Sequence, residues 1–128
     1  MRVEKALLAA EQILPGSAAP EGAEDPRWQA IIAISEYAQS HPDAIWPFVL
    51  KWGSYADEDL RAAIATCLLE DLLEHHFDAL FPRIDAAARA NTLFAQTVAM
   101  AWKFGQAKEP GRSEQLDRLQ SYLRKAIS

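Results

Sequence analysis

Apolar residues along this chain fall at helical spacing, and no run alternates with the period of two that a half-buried strand requires. Stripes such as Ile64, Ala65, Leu68 and Leu72, or Leu116, Leu119, Leu123 and Ile127, each line one side of an amphipathic helix. Breakers divide the pattern into about seven helices. The first runs from about Arg2 to Leu14 and stops at Pro15-Gly16, followed by an exposed loop from Ser17 to Asp25. Asp25-Pro26 reads as an N-cap followed by Pro at the first helical position, opening a helix through Trp28, Ile31, Ile32 and Ala33 to about Gln39. Further helices are expected over Asp43–Gly53, from near Asp57 to about His76, over Asp78–Ala90, and from about Thr92 to Phe104 with Gly105 as C-cap. After the polar turn at 108–112, Ser113 is placed to cap the last helix. The expected fold is all-α.

A seven-residue phrase occurs twice in this pattern, thirty-five residues apart: His41-Pro42-Asp43-Ala44-Ile45-Trp46-Pro47 and His76-Phe77-Asp78-Ala79-Leu80-Phe81-Pro82. Repeats of that period arise where helical hairpins stack, because no single hairpin can bury its own apolar face. Asp43 and Asp78 are expected as N-caps, which puts Pro47 and Pro82 at the fourth helical position, where a missing N–H is cheap and the ring bends the helix. Ala30-Ile31-Ile32-Ala33 matches Ala62-Ala63-Ile64-Ala65 at an offset of thirty-two, so about one helical turn is inserted at Glu70 to His75. Three hairpins result, their second helices following Asp25, Asp57 and Thr92.

Pro47-Phe48-Val49-Leu50-Lys51-Trp52, a short turn, and then Asp57-Glu58-Asp59-Leu60-Arg61-Ala62-Ala63 resembles the core of a HEAT repeat. The resemblance spans residues 25 to 105 and is densest over 41 to 82. It implies a short right-handed stack of about three antiparallel hairpins in one domain covering residues 1–128. Gln29 and Gln96 depart from it, standing where the Arg would recur. Trp52 followed by Arg61-Ala62-Ala63 is also similar to a stretch of the HEAT-like DNA alkylation repair glycosylases, a resemblance that implies a positively charged DNA groove with Trp, Asp and Arg around a lesion. Independently of either family, Arg61 falls at the edge of the Ile64–Leu72 stripe, where a half-buried guanidinium needs a partner, and Asp57, one turn earlier, is nearest by spacing. Asp57 and Arg61 are therefore expected as a structural ion pair.

Charge and composition narrow the function. A chain of 128 residues, half of them hydrophobic, can bury a core of ordinary size. A net charge of −5 argues against a nucleic-acid or anionic-membrane binder, which must neutralise phosphates with clustered Lys and Arg. Arg118, Arg124 and Lys125 form only a modest basic cluster on the last helix. The apolar run Ala6–Ala10 is too short, and too soon interrupted by Glu11, for a signal peptide or membrane span. Cys67 is the one cysteine, so no intrachain disulfide can form; its apolar neighbours suggest a buried, inert thiol, and a reducing cytoplasm fits.

The densest polar cluster is Glu70-Asp71-Leu72-Leu73-Glu74-His75-His76-Phe77-Asp78. Asp71 and His75 are one turn apart, a pair able in principle to hold a divalent metal, as in a metal-dependent hydrolase, or to exchange a proton. No second His lies at helical spacing from the first, since His75 and His76 point about 100° apart, and neither a metal nor any other cofactor is expected. Asp59 and Glu70 do not recur in the neighbouring repeats. Together with Asp71, Glu74 and His75 they form a polar strip suited to a specific partner. Trp28, Trp46, Trp52 and Trp102 are expected mostly in the core, with Trp102 and Phe94 partly exposed. There is no Gly-rich phosphate loop and no Ser nucleophile elbow. The expected function is a non-catalytic protein-protein interaction module: a bacterial adaptor, inhibitor or immunity-type binder whose acidic face meets a basic protein, or whose end helix docks a second copy.

Overall fold

The computed structural model describes residues 2–16, 19 and 22–127. Helices are α1 (Arg2–Ile13), α2 (Pro26–Ser35), α3 (Pro42–Trp52), α4 (Glu58–Ile64), α5 (Glu70–His75), α6 (Phe77–Ala90), α7 (Thr92–Ala99) and α8 (Arg112–Ile127). A π turn at Ala65–Leu69 joins α4 to α5 without a break, so the described residues form seven helical runs, and a short 3₁₀ turn occupies Gly105–Lys108. The fold is all-α: there is no strand among the described residues, and no helix among them is long and apolar enough to cross a membrane. Ser17, Ala18, Pro20 and Glu21 of the expected Ser17–Asp25 loop lie outside the described residues.

Local chemistry explains most helix starts. Asp25, Asp57 and Asn91 cap α2, α4 and α7, their side chains accepting from the backbone N–H of Arg27, Leu60 and Phe94. The repeated phrase starts helices differently from expectation. His41 and His76, not Asp43 and Asp78, hold the N-cap positions, with closely matching backbone angles (φ −134°, ψ 53° and φ −139°, ψ 45°) and no side-chain cap. Pro42 needs no N–H at the first helical position and its ring presets φ, so α3 begins two residues earlier than a carboxylate cap at Asp43 would place it. Pro47 and Pro82 consequently sit inside their helices. The two aspartates reach across to later helices instead: Arg83 of α6 donates to Asp43 at 2.9 Å, and Arg112 of α8 donates to Asp78 at 2.7 Å and 3.0 Å.

Helices pack on their chain neighbours and on the helix beyond: α1 on α2 and α3, α2 on α4, α4 on α7, α6 on α7 and α8. The core runs through all of them, with Ile31, Ile34, Ile45, Leu60, Ile64, Leu68, Leu72, Phe77, Leu80 and Phe94 fully buried. Phe77 stacks on Phe81 with ring centroids 4.9 Å apart, and Trp46 meets Phe94 edge to face at 5.9 Å. Trp52 is buried, its Nε1 donating to Glu11 of α1 at 3.0 Å. Trp28 and Trp46 are partly buried against the core, whereas Phe94, expected to be partly exposed, is wholly covered.

The expected Asp57–Arg61 ion pair is not formed. Asp57 faces α2, where it takes 2.9 Å from Arg27, while it caps Leu60 with its other oxygen. Arg61, 5 % exposed, donates to the Tyr55 and Ala56 carbonyls and at 2.7 Å to Gln96 on α7. The carbonyls lie nearer, being the exposed end of the preceding turn, and Gln96 completes the fork from the neighbouring helix. Arg27 is the residue that gathers carboxylates. At 2 % exposure it binds Asp25, Asp57 and Asp59, and this guanidinium holds the Asp25 carboxyl below the ordinary carboxylate range.

Candidate functional site

The polar strip expected on α4 and α5 is divided by the fold. Asp59 is spent on Arg27 (2.7 Å) and on the Trp28 indole N–H (3.3 Å), although it remains exposed. Glu70, expected on the solvent face, is 6 % exposed. The cause is tertiary: the segment after α7 returns across the polar side of α5, and the Trp102 backbone N–H donates to Glu70 at 2.9 Å. Burial pushes the Glu70 carboxyl above its usual range, and burial together with Glu74 does the same to Asp71. Asp71, Glu74 and His75 are half-buried at the margin. The His75 ring nitrogen lies 3.8 Å from Glu74, beyond hydrogen-bond reach. His76 turns away, its Nε2 donating to the Gln39 carbonyl at 2.6 Å. No group of three His, Cys, Asp or Glu among the described residues is arranged to hold a metal ion. Cys67, in the π turn, is partly buried, and burial with the nearby Asp71 and Glu70 charges pushes its thiol up, away from the reactive thiolate.

What α5 does is hold a strap. Gln106 satisfies both sides of the α5–α6 junction, its amide donating to the His75 carbonyl at 3.0 Å and its oxygen accepting from the Phe77 N–H at 2.9 Å. Gly105 takes φ +52° directly against α5, where a Cβ would lie 2.5 Å from the Glu74 Cγ and 2.9 Å from its carbonyl oxygen. It therefore opens the 3₁₀ turn and does not end α7, contrary to the sequence expectation. Helix α7 stops five residues earlier than expected: its last turn tightens, Met100 and Ala101 donating three residues back to the Thr97 and Val98 carbonyls at 3.2 Å and 3.1 Å, and other helices take the bonding groups beyond. To continue, the Trp102 N–H would donate to the Val98 carbonyl. Glu70 has taken the donor, and Gln120 of α8 donates to the Val98 and Ala101 carbonyls at 3.1 Å and 2.8 Å. Arg124 adds a bond to the Ala99 carbonyl at 3.1 Å, placing a cation at the negative end of α7.

Ending α7 at Ala99 throws Trp102 out of the core. Its side chain is 74 % exposed, and Phe104 two residues on is 43 % exposed. Between them Lys103 points back and ties the strap to α8 through Ser113 (2.7 Å) and Asp117 (2.5 Å). Beside Trp102 a groove of about 550 Å³ opens between the end of α7 and α8, lined by residues 99–103, Asp117, Gln120 and Arg124. None of Asp59, Glu70, Asp71, Glu74 or His75 lines it. Its wall holds an aromatic, two cations, one carboxylate and a buried amide, a set suited to gripping a ligand and containing no paired nucleophile and base.

Residues 17–118 match the model of a family of unknown function, DUF6869. No curated protein and no solved structure matches the chain.

Proposed function

The chain belongs to the DUF6869 family, and we propose that it works as a non-catalytic protein-binding module, a compact HEAT-like stack of hairpins that presents Trp102 and the adjoining groove to a protein partner. The packing of α1 on α3, α2 on α4, α4 on α7 and α6 on α8, each skipping one helical run, supports the stack, as do the matched histidine geometries at His41 and His76.

One observation carries the reading. A tryptophan 74 % exposed is held by a strap whose backbone and neighbours are bonded to α5 and α8 on both sides. Covering it would remove on the order of 150 Å² of apolar surface from water, roughly 3–4 kcal/mol. A side chain so expensive to leave in water, on a backbone so firmly fixed, has the character of a binding anchor. The acidic residues of α5 support this surface from behind. Affinity capture from host cells with wild-type and Trp102→Ala baits tests it. The variant should keep its melting temperature and lose specific partners. Identical captured sets from the two baits would refute the assignment of the surface.

A further inference from the structure

Charge is segregated in this acidic protein. Residues 103–128 hold six of the thirteen Lys and Arg but three of the eighteen Asp and Glu. The recesses of the surface gather there too: besides the Trp102 groove, one of about 340 Å³ lies between α6 and α8 and one of about 390 Å³ on α8 itself. At 100° per residue, Tyr122, Arg118, Ser121 and Arg124 lie in that order around the outer side of α8, with the exposed Glu114 and Asp117 between the two arginines and an aromatic at either margin, Tyr122 on one side and Trp102 on the other.

The cations on this face are not equally committed. Lys103 is paired with Asp117, and Arg89, which lies over the Tyr122 ring at 4.3 Å, is paired with Asp85. Arg124 donates only to a neutral carbonyl, and Arg118 has no hydrogen bond or ion pair with any described residue. Two guanidinium groups without a carboxylate therefore stand about 9 Å apart along the helix, between two exposed aromatics. Trp, Tyr and Arg are the residue types that dominate binding energy at protein interfaces.

We propose that the outer face of α8 together with Trp102 binds an acidic segment of a partner protein, carboxylates of that segment pairing with Arg118 and Arg124 while an apolar side chain covers Trp102. This rests on the protein-binding reading above and reverses the partner charge expected from composition, because the net charge of the chain is not the charge of this face. Nucleic acid fits less well: a strand carries a phosphate at every nucleotide, whereas two guanidinium groups on this face match the one or two carboxylates of a short acidic segment.

The test uses fluorescein-labelled short peptides on the full chain, read by anisotropy. One carries Glu and Asp interspersed with Leu, a second has Lys in place of every acid, and a single-stranded oligonucleotide of similar length is the third probe. The acidic peptide should bind, more weakly as salt rises, while the Lys peptide does not. Arg118→Glu, which breaks no bond in the structure, and Arg124→Ala should each weaken binding several-fold, and Trp102→Ala about ten-fold, with unchanged melting temperatures for Arg118→Glu and Trp102→Ala. Equal binding of both peptides, no binding of the acidic one, or wild-type affinity in Arg118→Glu would overturn the proposal. So would tighter binding of the oligonucleotide, or a concentration-dependent dimer in sedimentation that is lost in Arg118→Glu. Capture of host partners that depends on Trp102 but not on Arg118 or Arg124 would sink the acidic segment and leave the general reading standing; capture that ignores Trp102 removes both.

Discussion

Replacing Glu70 by Gln and by Ala separates the two things its carboxylate does. It accepts the Trp102 N–H at 2.9 Å, and it is kept from water at 6 % exposure. Gln retains an acceptor oxygen of the same reach and removes the charge, whereas Ala removes both and leaves a gap under the strap. The Ala variant loses a bond to a partly buried N–H, about 1–2 kcal/mol, and the packing of the side-chain methylenes, about 1 kcal/mol more. A loss of about 2–3 kcal/mol is expected, a fall in Tm of roughly 8–15 °C for a domain of this size. The Gln variant should stay within about 0.5 kcal/mol of wild type at low pH and diverge upward as pH rises. The sign follows from linkage: burial raises the folded pKa of Glu70 above its unfolded value, so the native state binds the proton more tightly and stability drains away as pH climbs from the unfolded value through the folded one. Gln cannot lose that contribution. Urea unfolding at about pH 4 and about pH 7, with amide exchange at Trp102, measures both effects. Parallel pH curves for wild type and Glu70→Gln, or equal stability of the Gln and Ala variants, would refute the assignment of Glu70 as a buried, charge-strained cap for the strap.

Two other substitutions probe the scaffold. Gly105→Ala forces a Cβ into a left-handed backbone position and against Glu74, and should cost about 2 kcal/mol or more, seen as a lowered urea midpoint with faster exchange over 101–108. Arg27→Met strips three carboxylates of their shared cation; because Asp57 and Asp59 are partly solvated, the cost is about 2–3 kcal/mol, below that of a fully buried pair. Asp25 has its folded pKa depressed by Arg27, so its stabilisation is present above its unfolded value and lost as pH falls through the folded one. The stability gap between wild type and Arg27→Met should accordingly narrow as pH falls through this range, and a gap that does not change with pH would count against the pairing.

The repeat phrase was readable as local structure, and its histidines do share one backbone geometry, but its aspartates were misread. A carboxylate near a helix start satisfies the same rule whether it caps its own helix or binds Arg83 or Arg112 of a later helix, and only the neighbour's position distinguishes the two. The same limit explains Glu70. Helical periodicity places it opposite the stripe of Ile64, Leu68 and Leu72, yet periodicity describes one packed side and cannot register a second that a later segment will cover.

By itself the sequence determined the all-α class, the seven helical runs and the Asp25 and Asp57 starts of α2 and α4, because spacing, caps and breakers act within a few residues. Only the tertiary structure decided where α7 ends, which acid is buried, and how fully Trp102, expected to be partly exposed, stands in solvent. Those outcomes depend on competition for the same N–H and C=O groups between a helix continuing along its own axis and side chains from α5 and α8, which are brought there by folding over separations of nineteen to thirty-two residues.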